Sequence, residues 1–551
     1  MCRLIRGLLL SLWAWQLLVW FEFPGLTYHR TGLLHAVQPP ASPAPNQTNQ
    51  PPSAQNRKQR DERLEQLFNQ DRYRNARWGA LFVDLETGKV VLERNPDQLF
   101  IPASVTKLFS VATALDALGA DHRFVTPVHR RGDLQADGRL SGDLILVASG
   151  DLSFGGRTTE RDEIAFTNND HTYANGSGDT QLTAPNPLAG IEQLARQVAE
   201  AGIKSVTGDL LVDDRLFEKA EGSGSGPSRI TPIMINDNLI DVEITPTAAG
   251  EPAQLTWRPQ TEAIRLEANV VTAKAGDKLL ITLRDLGGGR LHVTGQIPAN
   301  HRPIVRVFEV EDAAAHARTL FIEALQRQKV HVAAPRLAAN DQHRLPNRRD
   351  YAAMPVVAKL ESPPFAESAR LILKVSHNLQ AGTLPLLVAA KHGERTLADG
   401  LRRQSDFLRK SGVDVDTISF GGGAGGARAD HVTPRATVEL LRAMYQRPDF
   451  AVYQRALPQL GVDGTLAKSV AAESDARGKV QAKTGTLAWD NVMNGGLLLT
   501  SKALAGYLTT RDGKKLAFAA FVNNVHLRAG LDANAIGRDL GRLCEIMHEG
   551  E

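Results

Sequence analysis

Two cysteines, Cys2 and Cys544, are all that 551 residues contain. One lies in the N-terminal segment and the other near the C-terminus, so no internal disulfide framework is expected. A cysteine-ligated metal is excluded by count. The histidines fall at no ligand spacing either, and neither a metal nor another cofactor is expected. An excess of one charge is missing as well: 64 Lys and Arg stand against 61 Asp and Glu, a net +3. So even a balance gives no reason to expect a nucleic-acid partner. No repeat period is present, which leaves out solenoids and propellers. What remains is the composition of a globular protein, long enough for two to four domains.

The N-terminus carries the long uncharged apolar run. In "MCRLIRGLLLSLWAWQLLVWFEF", Arg3 and Arg6 precede a stretch from Gly7 to Phe21 without charge. A basic start followed by such a run is the pattern of an export signal. Residues 1–37 are therefore expected to be a signal peptide or a membrane anchor, with Ala36 a weak cleavage point. The run is short for a membrane span, although its tryptophans suit an interface. Cys2 precedes the run, unlike the cysteine of a lipoprotein. Export to the periplasm or cell envelope is expected, with membrane association through this segment.

Residues 38–56, "QPPASPAPNQTNQPPSAQN", have little to bury and read as a disordered spacer. The arginines of 57–78 alternate with acids, so 38–75 is expected to be linker followed by a solvated basic/acidic helix. "GALFVDLETGKVVLERN" (79–95) predicts a hairpin turning at Glu86-Thr87-Gly88. From about Phe124 to Lys359, short β-like runs alternate with Gly, Asp and Pro. From Glu361 helical patterns return, with strands late in the chain. The chain reads as an α/β catalytic unit, 76–124 plus 358–551, split by a β-rich insertion, 125–357.

"PASVTKLFSVATALDALG" (102–119) puts Ser104 three positions ahead of Lys107 and continues as a helix with Leu108, Val111, Ala112, Leu115 and Leu118 on one stripe. Pro102 suits the start of that helix and Gly119 its end. Positions three apart on a helix are neighbours, so a hydroxyl and an amine meet. The adjoining Leu108 and Phe109 give an apolar setting that lowers the amine's pKa toward that of a base. Alone, the pair equally fits a serine cap and a surface lysine.

Further on, "LKVSHNLQAG" supplies Ser376 and Asn378, and "KVQAKTGTLAW" supplies Lys483, Thr484, Gly485 and Thr486. An acyl transfer needs a nucleophile, a proton acceptor, a proton relay and oxyanion donors. Ser104 and Lys107 fill the first two roles. Ser376 can relay the proton, Asn378 can hold a substrate amide, and the N–H groups of Ser104 and Thr486 can face an oxyanion. Lys483 with Thr484 and Thr486 suits a substrate that ends in a carboxylate, and Gly485 permits close approach of substrate backbone. Three decoys are set aside. Lys410-Ser411-Gly412 ends a helical run, "YAN" (173–175) lies in a Gly/Asn-rich loop of the insertion, and "GGGAGG" (421–426) precedes no helix start suited to a dinucleotide.

S-x-x-K, S-x-N and K-T-G in this order form the signature of penicillin-binding proteins and class A β-lactamases. The chain resembles the penicillin-binding proteins of the D-alanyl-D-alanine carboxypeptidase/endopeptidase type, the low-molecular-mass class C group. "GDLILVASGDLSF", "GDLLVDDRLFE", "IMINDNLIDVEITP", "SPPFAESARLILKVSHNL" and "VTPRATVELLRAM" follow that family's order over roughly residues 76–545. The resemblance implies a transpeptidase-like domain, an antiparallel sheet flanked by helices, with two inserted domains. It also implies an enzyme cleaving D-Ala-D-Ala termini or D-alanyl cross-links of peptidoglycan stem peptides, inhibited by β-lactams that acylate Ser104. Two positions depart from the family pattern. "GGGAGGARADH" (421–431) stands where relatives carry a D-G-S-G-L-S-like stretch, and Gly382 replaces a usual glutamate. A β-lactamase, or a catalytically weak envelope protein that binds muropeptides, are the competing readings.

Overall fold

A computed structural model describes residues 54–527 and 531–550. The expected signal peptide or anchor, its Ala36 cleavage point and most of the spacer lie outside the described residues.

The central sheet forms because its strands are apolar on both faces. In Arg77–Asp84 every residue after the first is buried, and in Lys515–Asn523 likewise. Alternate side chains of a strand point to opposite faces, so Leu81, Val83, Ala519 and Phe521 join one core while Ala80, Phe82, Phe518 and Val522 join the other. The strand order is Val480–Asn491, Gly496–Thr509, Lys515–Asn523, Arg77–Asp84, Val90–Arg94, each pair antiparallel. The first hairpin turns as expected: Asp84 Oδ1 accepts from the Glu86 and Thr87 N–H groups, and Gly88 takes φ +71°.

Helices Thr106–Leu118, Phe365–Val375, Asn378–Lys391 and Pro434–Tyr445 cover the first face. Helices Ala54–Phe68 and Ala533–Glu549 cover the second. The first of these was expected as a solvated face. Its inner side instead carries Leu64, Leu67 and Phe68 into the core around Trp78, where each fully buried side chain contributes about 1.5–3 kcal/mol. Cys544 is buried in the same layer. The fold is α/β in the α+β sense, an antiparallel sheet between helical layers.

The β-like texture after Phe124 resolves into three larger sheets and a two-stranded pair, Ala220–Glu221 with Arg229–Ile230. One is built on the hairpin Val125–Leu134 and Arg139–Val147 and is covered by helices Ala189–Glu200 and Ala313–Arg327. Two three-stranded sheets, on Leu239–Thr245 and Arg290–Pro298, share a separate small core. Strand Val356–Glu361 pairs back onto Val125–Leu134, so this long segment leaves and returns side by side.

Candidate active site

Ser104 sits in the 3-10 turn Ala103–Val105, which runs straight into helix Thr106–Leu118. Ala103 holds φ +46°, an uncommon conformation for a residue with a Cβ. Two glycines make the crowding around it possible. A Cβ on Gly425 would lie 2.0 Å from Ala103 O, and one on Gly485 would lie 2.5 Å from Pro102 O. The space left by Gly485 is thus filled by the nucleophile's own turn, where sequence reasoning had placed a substrate backbone.

Lys107 is fully buried, and its Nζ stands at hydrogen-bond distance from three groups: Ser104 Oγ at 2.8 Å, Asn378 Oδ1 at 2.7 Å and Ala424 O at 2.6 Å. Burial pushes its pKa down to about 7, opposed only in part by the nearby Asp430 carboxylate. The neutral amine has two N–H bonds and one lone pair. Asn378 Oδ1 and Ala424 O can accept only, so they take the two N–H bonds and the lone pair is left for Ser104 Oγ. The geometry therefore orients a free base at the hydroxyl.

Ser376 ends helix Phe365–Val375 in the left-handed conformation, φ +65°, and Asn378 opens helix Asn378–Lys391 two residues later. The sharp change of direction brings Asn378 Oδ1 onto Lys107 Nζ and leaves Ser376 lining the cavity described next. Asn378 is held at both ends, since its Nδ2 also donates to Ser225 O at 3.0 Å. On strand Val480–Asn491, Thr484 and Thr486 face a cavity of about 550 Å³ that Ser104 and Ser376 also line. Lys483 alternates to the inside, fully buried, its Nζ donating to Thr484 O at 2.8 Å. Burial and then the neighbouring Lys107 and Lys502 hold its pKa well below the usual lysine range. All eight residues singled out from the sequence converge here, but Lys107, Asn378, Lys483 and Gly485 stand behind the cavity wall.

Sequence reasoning missed four features. Tyr173, set aside with the decoy "YAN", lines the cavity and donates to Ser376 O at 2.5 Å. The glycine-rich stretch 421–426 is no nucleotide loop. It packs under the nucleophile helix, offering Ala424 O to Lys107 and Gly423 O to Ser110 Oγ at 2.8 Å. Asp430 staples that stretch, accepting from Gly421 N and Ala427 N at 2.8 Å each. The last feature is a buried polar network behind the Ser376 turn. Arg157 donates to Asp170 and Asp237 at 2.7 Å, and His171 bridges Asp237 at 3.0 Å and Asp241 at 2.6 Å. Arg258 reaches Asp241 at 3.0 Å. Burial alone would lower the His171 pKa, but the Asp241 and Asp170 carboxylates hold it near 10, so three cations face three carboxylates. Gln380 Nε2 donates to Asp237 Oδ1 at 3.2 Å, and His377 Nε2 stands at the same distance without a formed hydrogen bond. The remaining decoy, Lys410-Ser411-Gly412, ends its helix with Gly412 at φ +79°. Gly382, one of the two departures from the family pattern, is buried under Ile230.

The sequence model of the D-Ala-D-Ala carboxypeptidase 3 (S13) family matches residues 60–540. The chain belongs to that family. A D-alanyl-D-alanine carboxypeptidase of Actinomadura sp. is 29 % identical over 476 residues, 81 % of this chain and 78 % of the relative. The D-alanyl-D-alanine carboxypeptidase DacB of Haemophilus influenzae is 24 % identical over 465 residues, 81 % and 85 % of the two chains. The crystal structure of penicillin binding protein 4 from that organism superposes with a TM-score of 0.66 at 20 % identity, covering 88 % of this chain and 98 % of the other. The fold is that of the penicillin-binding proteins, and the family membership makes this chain a D-Ala-D-Ala carboxypeptidase-type serine peptidase.

Proposed function

We propose that Ser104 is the nucleophile and that it forms an acyl-enzyme with the penultimate D-alanine of peptidoglycan stem peptides. The observation that carries this is the Lys107 amine, buried, near neutrality in pKa and turned by two fixed acceptors toward Ser104 Oγ. In the reaction the Ser104 O–C bond forms as its proton passes to Lys107 Nζ. The C–N bond then breaks, and the proton reaches the leaving nitrogen through the Ser376 hydroxyl, which lines the same cavity. Backbone N–H groups of Ser104 and Thr486 stabilise the oxyanion, and water then frees the acyl group. Asn378 fixes the Lys107 amine through its side-chain oxygen. Both a terminal D-alanine and the amine side of a D-alanyl cross-link are chemically acceptable leaving groups, so carboxypeptidase and endopeptidase reactions share these steps.

β-Lactams mimic the scissile amide and would acylate Ser104. Penicillin binding protein 4 of Haemophilus influenzae has been crystallised with a β-lactam. Fast deacylation, which a β-lactamase requires, lacks a base. Among the described residues the carboxylate lining the cavity is Asp179, whose pKa is held low by its bond from Ser177. A catalytically weak muropeptide binder was suggested by the altered 421–431 stretch. That stretch serves Lys107 through a main-chain carbonyl, which a change of side chains leaves in place. The test is release of D-alanine from an acylated tripeptide ending in D-Ala-D-Ala. Turnover by the parent and none by Ser104→Ala is expected; binding without turnover by the parent would favour the muropeptide-binding reading. Export to the cell envelope, with membrane association through residues 1–37, is supported by the basic start and apolar run. Fractionation that leaves the full chain in the cytoplasm would contradict it.

A further inference from the structure

Lys502 lies on strand Gly496–Thr509 directly across from Thr486, and its Nζ donates to Thr486 Oγ1 at 2.8 Å. It is half-buried and lines the cavity that holds Ser104, Thr484 and Thr486. Its stem crosses the C-terminal helix at Gly537, where a Cβ would stand 3.1 Å from Cε and 3.5 Å from Nζ. The glycine lets the lysine stem pass close against the helix backbone. Among the described residues no carboxylate comes within ion-pair distance of this ammonium; Asp532, at the start of the same helix, acts on it only through space. Arg538, the residue after Gly537, lines the same wall and is likewise without an ion-pair partner among the described residues. The cavity thus has a cationic wall beside the third motif, and the carboxylate that lines the cavity, Asp179, pairs with Arg302 and Lys468 rather than with this wall.

The contrast with Lys483 decides the assignment. Lys483 is enclosed and already donates to Thr484 O, and it is absent from the cavity lining. Thr486 Oγ1 accepts from Lys502, so the hydroxyl's own hydrogen is free to donate into the cavity. We propose that Lys502 is the cation that contacts the carboxylate on the leaving side of the scissile bond, with the Thr486 hydroxyl as its partner donor. The site then selects leaving groups that carry a carboxylate on the carbon bonded to the scissile nitrogen. Terminal D-alanine and the D-configured centre of a cross-link both satisfy that rule, and an amidated terminus does not. This rests on the peptidase reading above. Burial lowers the Lys502 pKa to about 8, as fits an ammonium partly stripped of water and awaiting an anion.

The test compares kcat/KM for an acylated tripeptide ending in D-Ala-D-Ala with that for its C-terminal amide, in the parent, Lys502→Ala and Lys502→Arg. Loss of a charge-assisted contact should lower the acid-to-amide ratio by about ten- to a hundredfold in Lys502→Ala. Lys502→Arg keeps the charge and should recover most of the ratio. Equal losses on both peptides, or a ratio within threefold of the parent, would overturn the assignment while leaving the peptidase reading intact. A parent that neither turns over the acid peptide nor takes a penicillin label would overturn both.

Discussion

The pKa of Lys107 sets a pH profile that can be worked out in advance. An ordinary lysine near pKa 10.4 is free amine at only about 4 parts in 10,000 at pH 7. With its pKa at about 7, half of Lys107 is free amine there, so burial enlarges the supply of base roughly a thousandfold. The acylation rate constant at saturating β-lactam should therefore follow the free amine: half-maximal near pH 7, about a tenth at pH 6 and flat above pH 8. Saturation matters, because titration of Lys502 then appears in the half-saturation constant. Stopped-flow acylation with a fluorescent penicillin measures it. Lys107→Ala should acylate about 10² to 10⁴ times more slowly and lose the acid limb. A rate still climbing tenfold per pH unit between 8 and 9.5 would refute the depressed pKa, and a flat profile from 5.5 to 8 would refute the base. The same depression carries a stability signature of known sign. Between about 7 and 10.5 the unfolded chain binds the proton that folded Lys107 has lost, so its burial penalty fades as pH rises. Lys107→Met should be more stable than the parent near pH 6, by up to roughly 5 kcal/mol, and that advantage should shrink toward pH 10.

Asp430→Asn removes the carboxylate that opposes the fall of the Lys107 pKa, so the acid limb of the acylation profile should move to lower pH; an unchanged limb would show that Asp430 serves only as a staple. Gly485→Ala sets a Cβ 2.5 Å from Pro102 O, so it should cost about 1–3 kcal/mol of stability in urea melts and slow acylation together; a variant acylating at the parent rate would contradict the packing argument. Arg157→Met leaves Asp170 and Asp237 buried without their guanidinium and should destabilise by about 3–5 kcal/mol. A loss under about 1 kcal/mol would mean that water reaches that network.

The parts of the site that were legible in the sequence are those fixed by local spacing. Ser104 and Lys107 meet because a helix brings positions three apart together, and the apolar neighbours that lower the amine's pKa are adjacent in sequence. The hairpin at Glu86-Thr87-Gly88 and the helix end at Gly119 followed from turn chemistry. What escaped was set by contacts between distant segments. Tyr173 belongs to a loop whose composition says only that it is exposed; its hydroxyl meets Ser376 because the insertion folds back over the catalytic unit. Ala424 acts through a carbonyl, which no side-chain pattern reveals. Lys502 gains its place from the register of two strands, in which it faces Thr486, and from a glycine on a separate helix. Lys483 is a contrasting case. The motif marked it as the carboxylate's partner, but strand alternation turns its side chain inward and leaves the threonines at the surface of the cavity.

The most direct single measurement is the mass of the protein after incubation with penicillin, followed by peptide mapping of the adduct. One penicillin mass per chain is expected, located on the peptide containing Ser104 and absent from Ser104→Ala, with slow loss of the adduct because Asp179, the cavity carboxylate among the described residues, is engaged by Ser177. An adduct mapped to another serine, or full labelling of Ser104→Ala, would contradict the assignment of the nucleophile and the proton path built on it.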